Sequence, residues 1–147
     1  MAYRRLVVGT DGSETASMAV RHAAQLAASF DAELVIVTAF APSHDLDAAR
    51  QQAPEEIRWR ITDVGAAEEH AEHARRIAEE AGVPRTRLRA AAGDAATVLI
   101  DVAEDVGADC IVVGSRGMSS ATRFVLGNVP NAVSHHAPCD VLIVHTT

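Results

Sequence analysis

The sequence predicts an α/β fold, in which one domain spanning residues 1–147 is built on an open, doubly wound, five-stranded parallel sheet. Short apolar runs rich in Val and Ile alternate along the chain with helical patterns. The apolar runs are nearly continuous, which is typical of parallel strands covered on both faces. A chain of 147 residues with 48% hydrophobic and 22% charged residues is also suited to one buried core.

The first half of the chain begins with a strand over 4–9 (RRLVVG), a short apolar run that ends at glycine. A helix over 13–30 follows, because small and apolar residues recur every three or four positions and Ser13 is a suitable N-cap. The β-branched run ELVIVTAF predicts a second strand over 33–40. Between 41 and 64 the periodic pattern weakens, and the sequence leaves open whether this segment covers a ligand.

The second half repeats the alternation. Glycine and proline at 82–84 end a helix that is rich in Ala and Glu, and three further apolar runs are separated by helical patterns. The predicted strands lie at 86–92, 109–114 and 140–147, and the predicted helices at 65–82, 94–106 and 128–136. Right-handed crossovers between such units give a Rossmann-like sheet, which binds ligands beyond the carboxyl ends of its strands.

Charge and composition exclude several classes of function. The formal net charge is −7 and the sequence has no basic stripe, so neither nucleic-acid nor membrane-surface binding is expected. No apolar run has the roughly 20 residues of a membrane span. The N-terminus is typical of a first strand rather than a signal peptide, and we therefore expect a cytoplasmic protein. Without lysine the chain cannot form a P-loop of the Walker type.

Glycines follow two of the predicted strands at the edge where a ligand would rest. Segment 9–12 (GTDG) follows the first strand and segment 114–117 (GSRG) follows the fourth. Glycine allows a loop to turn its backbone N–H groups toward one point, where they can bind an anion. Gly127 precedes Asn128, which begins a short helix whose first N–H groups suit a phosphate. Ordinary turn glycines would leave the same pattern, so the spacing alone does not decide between the two interpretations.

These segments resemble the universal stress protein family over essentially the whole chain. The carriers of the resemblance are VVGTDGSETASMAV, ADCIVVGSRG and HAPCDVLIVHT. Most specific is the nucleotide motif Gly-2x-Gly-9x-Gly, which Gly114, Gly117 and Gly127 match. The resemblance implies the strand order 3-2-1-4-5, with ATP between strands one and four and adenine near Ala39. The site residues predicted in this way are Gly9, Thr10, Asp11, Ala39, Gly114, Arg116, Gly117, Met118, Gly127, Asn128 and Val129.

One departure from the family motif bears on the choice of nucleotide. The motif ends in Ser or Thr, whereas this chain has Asn128, and Pro130 lacks an N–H that could face a phosphate. Cyclic AMP is therefore an alternative to ATP with Mg²⁺. Asp11 could help to hold Mg²⁺, but no separate catalytic base is evident. Nucleotide binding in a stress-response regulator is accordingly preferred to turnover, with slow ATP hydrolysis or a nucleotide-free interaction protein as the alternatives.

Other polar groups are assigned structural roles. His70 and His73 lie three residues apart on a predicted helix, where a solvated, salt-bridged face is preferred to a metal pair. Cys110 and Cys139 match no metal-binding spacing and are interpreted as reduced, buried thiols. The last predicted strand is apolar and lies near a sheet edge under the implied order, which predicts a homodimer through that strand.

Overall fold

The computed structural model describes residues 3–40, 64–115 and 128–146. Within these ranges the chain forms five strands and four helices, and the α/β prediction is confirmed. The strands are β1 (Arg5–Gly9), β2 (Glu33–Phe40), β3 (Arg85–Ala92), β4 (Cys110–Gly114) and β5 (Asp140–Val144). The helices are α1 (Glu14–Phe30), α2 (Val64–Glu80), α3 (Ala95–Val106) and α4 (Asn128–His136).

All strand pairs are parallel, and their order in the sheet is β3-β2-β1-β4-β5. This is the order that the family resemblance implied. The chain builds outward from β1 to β3 and then returns to place β4 against the other side of β1. The carboxyl ends of β1 and β4 therefore flank the point where the strand order reverses, which is the usual ligand position in such sheets.

The sheet has a core on each face, as the continuous apolar strands predicted. Along β1, Leu6 and Val8 belong to the cluster shared with α1 and α2, while Val7 belongs to the cluster shared with α3 and α4. All three side chains are fully buried. Because successive residues of a strand point to opposite faces, burial on both sides requires apolar residues at consecutive positions.

Side-chain caps begin two of the helices. Ser13 Oγ accepts the N–H of Ala16 at 3.1 Å, and Asp94 Oδ2 accepts that of Thr97 at 3.2 Å. Ser13 is thus the N-cap that the sequence predicted. Asp94 is likewise a cap and not the first helical residue, so α3 begins one position later than predicted.

Strand ends were predicted less well than strand positions. β5 was predicted to run to residue 147, but its ladder ends at Val144. Beyond it, the amide of Thr146 donates to Ser115 Oγ at 3.2 Å instead of continuing along β4. Strands β1 and β4 each begin one residue later than predicted, and α2 spans Val64–Glu80 rather than 65–82. Within the described ranges, no helix is long and apolar enough to cross a bilayer.

Tyr3 provides a pH-dependent probe at the end of the sheet away from the carboxyl termini of the strands. Its hydroxyl donates to Asp140 Oδ2 at 3.0 Å, and this hydrogen bond is the main cause that raises the pKa of Tyr3 from 10.0 to about 12. The folded state thus retains the phenolic proton after the unfolded chain has lost it. The contribution of Tyr3 to folding stability should be fully present below pH 10 and should be lost as the pH rises from about 10 to about 12.

Because Tyr3 is the only tyrosine, its ionisation can be followed by absorbance at 295 nm without interference from another phenol. We expect a midpoint near 12 in the native protein and near 10 in concentrated urea. The variant Asp140→Asn serves as the control, since it removes the carboxylate and should return the native midpoint toward 10. Identical midpoints in native protein and in urea would contradict this assignment.

Candidate functional site

A cleft opens at the carboxyl ends of β1 and β4, at the reversal of strand order. About 760 Å³ of space, part of it open solvent, lies between its walls. Most of its wall is apolar, and the polar side chains come from the loop between β1 and α1 and from the first turn of α1. Among described residues, the lining consists of Gly9, Thr10, Asp11, Ser13, Thr15, Ala16, Ala19, Val37, Ala39, Ala95, Leu99, Val112, Val113, Gly114, Val129 and Pro130.

The β1–α1 loop, residues 10–13, is held by hydrogen bonds to β2 and within the loop. The amide of Thr10 donates to Val37 O at 2.9 Å, that of Gly12 to Thr10 Oγ1 at 3.1 Å, and that of Ser13 to Asp11 Oδ1 at 3.0 Å. These three N–H groups are therefore already satisfied and do not point at a ligand. The expectation that this loop presents free amides to a phosphate is wrong at these three positions, because a carbonyl of β2 accepts from Thr10 and local side chains accept from Gly12 and Ser13.

Gly114 ends β4 at a close approach of the chain beyond β5. A Cβ built on Gly114 would lie 3.0 Å from Thr146 Cγ2, so a side chain here would require Thr146 to shift by a few tenths of an ångström. Ser115 is fixed at the same point, since its amide donates to Val144 O at 2.6 Å and its hydroxyl accepts the amide of Thr146. The first residues after β4 are thereby fastened to the edge strand β5.

Thr146 is a neighbour of the site that sequence reasoning missed. Its side chain is only 3% exposed, and its hydroxyl has no hydrogen-bond partner among the described residues. A threonine that follows an apolar strand looks like a continuation of that strand, so the sequence carries no signal for this position. The apolar cleft walls from α1 and α3 were also missed, because their residues resemble ordinary core positions.

Helix α4 brings its first turn to the cleft. Val129 and Pro130 line the cavity, whereas Asn128 is exposed and is not among the lining residues. Pro130 has no N–H, so this turn offers fewer donors to an anion than an ordinary helix start. The helix position is as predicted, but its capacity for binding phosphate is reduced.

The structure brings most of the predicted site residues together. Six of them line the cleft, and a seventh, Asn128, begins α4 beside it. The six are Gly9, Thr10, Asp11, Ala39, Gly114 and Val129. The predictions for Arg116, Gly117, Met118 and Gly127 lie outside the described residues.

Asp11 is the only charged side chain among the described residues that line the cleft. Its Oδ1 is occupied by the amide of Ser13. Across the described ranges, no group of three or more His, Cys, Asp or Glu side chains is placed to hold a metal ion by itself. A divalent cation at Asp11 would therefore need further ligands from a bound molecule, such as phosphate oxygens.

The two cysteines are free and lie away from the cleft lining. Cys110 is buried in the core shared with α1 and α2, while Cys139 is half-buried against the opposite core. Burial raises the pKa of Cys110, and burial is also the main cause that raises the pKa of Cys139 to about 11. Both thiols are protonated at neutral pH and are poor nucleophiles. Cys110 is buried as predicted, whereas Cys139 is less buried than expected.

Comparison of the sequence with known proteins shows the family of this chain. The sequence model of the "Universal stress protein family" matches residues 2–145. The chain belongs to the universal stress protein family. Universal stress protein Rv1636 of Mycobacterium tuberculosis is 38% identical over 146 residues, which cover 99% of each chain.

Solved structures of other universal stress proteins have the same fold. A crystal structure of a universal stress protein in complex with cAMP is 34% identical, covers 100% of both chains and has a TM-score of 0.75. The universal stress protein from Archaeoglobus fulgidus in complex with dAMP is 23% identical, covers 97% of this chain and 98% of that one, and has a TM-score of 0.69. At that identity the Archaeoglobus structure supports the fold alone.

Proposed function

We propose that this universal stress protein binds an adenine nucleotide in the cleft and acts as a nucleotide-responsive regulator rather than as an enzyme. One observation carries the proposal: the tips of β1 and β4 and the first turn of α4 meet around a preformed cleft where the strand order reverses. The solved relative in complex with cAMP, at 34% identity over the whole chain, supports an adenine nucleotide in this family context.

The apolar wall of the cleft suits a purine base. Ala39 and Val37 lie at the carboxyl end of β2, and Leu99 of α3 faces the same space. Leu99 is buried and packs in the core, so this wall is rigid. A flat aromatic base gains by burial against such a surface, while its polar edge can be bound by backbone groups. We therefore propose that adenine lies against Ala39.

The charge of the described part of the cleft favours cyclic AMP over ATP. The described lining contributes one carboxylate, Asp11, and no cationic side chain. A triphosphate brings several negative charges, which Asp11 repels, whereas a cyclic monophosphate brings one. Pro130 further reduces the number of donors at the start of α4. The order of preference that we propose is thus cyclic AMP first and ATP second.

ATP stays a candidate because of one feature. Mg²⁺ is commonly bound by one or two carboxylates together with substrate phosphates, and Asp11 could supply such a carboxylate. A bound Mg²⁺ would also reverse the local repulsion. This candidate requires ATP affinity to depend strongly on Mg²⁺, which cyclic AMP affinity should not.

Isothermal titration calorimetry of nucleotide-free protein tests the proposal. Cyclic AMP, AMP and ATP are titrated with Mg²⁺ and with EDTA, and cyclic GMP serves as a control for the base. We expect cyclic AMP to bind at least about tenfold more tightly than ATP in EDTA. Absence of binding by every adenine nucleotide would refute the proposed function. Appearance of ADP or AMP during incubation with ATP would instead support the alternative that the protein is an enzyme that slowly hydrolyses ATP.

We further propose that the protein forms a homodimer through β5. This strand is an edge of the sheet, and its Leu142 and Ile143 are 39% and 37% exposed. The opposite edge strand, β3, carries Arg85, Arg87 and Arg89, and such charges discourage pairing between edges. The two edges therefore differ in a way that favours β5 for association with a second copy.

Light scattering at micromolar concentration should give the mass of a dimer. The variant Leu142→Arg should shift the protein to a monomer, because it places a charge on the proposed interface. Ala90→Arg is the matched control, since it adds the same charge at an exposed position of the other edge strand. A monomeric parent protein, or dissociation by both variants, would contradict an interface at β5.

A further inference from the structure

His70 of α2 lies directly against the β1–α1 loop. A Cβ built on Gly12 would lie 2.2 Å from His70 Nδ1 and 2.8 Å from Cγ. The imidazole thus occupies the space that any side chain at position 12 would need. His70 is half-buried and is not among the cleft-lining residues, so it contacts the loop from outside the cavity.

Gly12 is restricted by this ring and by its own backbone. Its φ of +80° is in the left-handed region that favours glycine. Its neighbours Asp11 and Ser13 both line the cleft. A movement of Gly12 would therefore be transmitted to the two cleft-lining residues that flank it.

Helix α2 provides a firm base for the imidazole. Its inner face consists of alanines at helical spacing, and they are nearly or fully buried: Ala67, Ala71, Ala74 and Ala78. Small side chains allow the helix to lie close to the neighbouring elements, and close packing leaves it little freedom to shift. This packing fixes the backbone of α2 at His70 independently of the loop that the ring touches.

The two histidines of α2 therefore have different surroundings. His73 is exposed, and ion pairs of Arg75 with Glu72 and Glu79 lie on the same helix. This part agrees with the predicted solvated, salt-bridged face. His70 departs from that prediction, because its ring packs on a loop far away in sequence. Neither histidine belongs to a metal-binding group among the described residues.

We propose that His70 is a positioning residue for the nucleotide site. Its ring buttresses Gly12 and thereby keeps Asp11 and Ser13 in the conformation that receives the ligand. The inference rests on the proposed function for its ligand, but the effect on the loop is independent of any ligand. Because the ring supports the loop through its shape, we expect that another planar ring at position 70 can replace the imidazole.

The experiment compares His70→Ala, His70→Phe and the control His73→Ala, which changes the same residue type one turn along α2. Hydrogen exchange of the Gly12 and Ser13 amides, both hydrogen-bonded in the structure, is measured without ligand. Affinity for cyclic AMP is then measured by calorimetry. We expect His70→Ala to accelerate exchange at both amides and to weaken binding about tenfold, and His70→Phe to restore both properties.

His73→Ala should behave as the parent protein does in both measurements. Unchanged exchange and affinity in His70→Ala, or equal effects of His73→Ala, would overturn the proposal. Failure of His70→Phe to restore either property would overturn the role of ring shape. If the parent protein binds no nucleotide while His70→Ala still accelerates loop exchange, the proposed function fails and the positioning of the loop stands.

Discussion

Replacement of Leu34 by alanine is expected to lower the free energy of unfolding by about 2–5 kcal/mol. Leu34 lies in β2, is fully buried and packs in the core that the sheet shares with α1 and α2. The substitution removes apolar burial and leaves a cavity that the surrounding strands can close only in part. Equilibrium unfolding in urea, analysed by linear extrapolation, measures the change.

Leu142→Ala is the matched control for this experiment. Leu142 is also a strand residue, but it lies on the edge strand β5 and is 39% exposed. We expect it to cost less than about 1 kcal/mol. Each variant is measured at two protein concentrations, so that any contribution from association through β5 appears as a dependence on concentration. Equal losses for the two variants would contradict the assigned burial.

The central part of the fold was predictable because its physical causes are local. Strand β2 and helix α4 have the predicted bounds, 33–40 and 128–136. In β2, successive large apolar residues pack alternately into the cores on the two faces of the sheet. Burial on both faces requires an unbroken apolar run, which is visible in the sequence. The strand order, by contrast, came from the family resemblance, since alternation of strands and helices alone does not fix it.

The end of β5 could not be predicted from local sequence. Thr146 leaves the strand because its amide donates a hydrogen bond to Ser115 Oγ and because Gly114 leaves room for the threonine side chain. Both partners are about thirty residues away along the chain. The pattern of β5 itself contains nothing that distinguishes Thr146 from one more strand residue.

A cleft lies where the sequence predicted a site, but the hydrogen bonds of its loops differ from those expected. Glycines after β1 and β4 predicted a site at the carboxyl ends of these strands, and the tips of both strands line one cleft. The amides of Gly12, Ser13 and Ser115 nevertheless donate to protein acceptors. Only the folded chain shows which acceptor each amide meets, because an amide's partner depends on loop conformation and on contacts distant in sequence.

Ala39→Phe is expected to reduce affinity for cyclic AMP by at least about tenfold while preserving the fold. Ala39 is half-buried at the carboxyl end of β2, and its side chain faces the cleft together with Leu99. A benzyl group there extends into the open space that we assign to adenine and so competes with the base. Because the group enters a cavity rather than a packed core, overpacking strain should be small.

Ala91→Phe is the control that separates blockage of the cleft from a general effect on the sheet. Ala91 is paired in register with Ala39 on the neighbouring strand β3 and is also half-buried, but it is not among the cleft-lining residues. Titration calorimetry on both variants, with thermal unfolding as the check on folding, should show weakened binding for Ala39→Phe alone. Full affinity in Ala39→Phe would place the base elsewhere, and equal weakening in both variants would indicate a distortion of the sheet instead of a filled site.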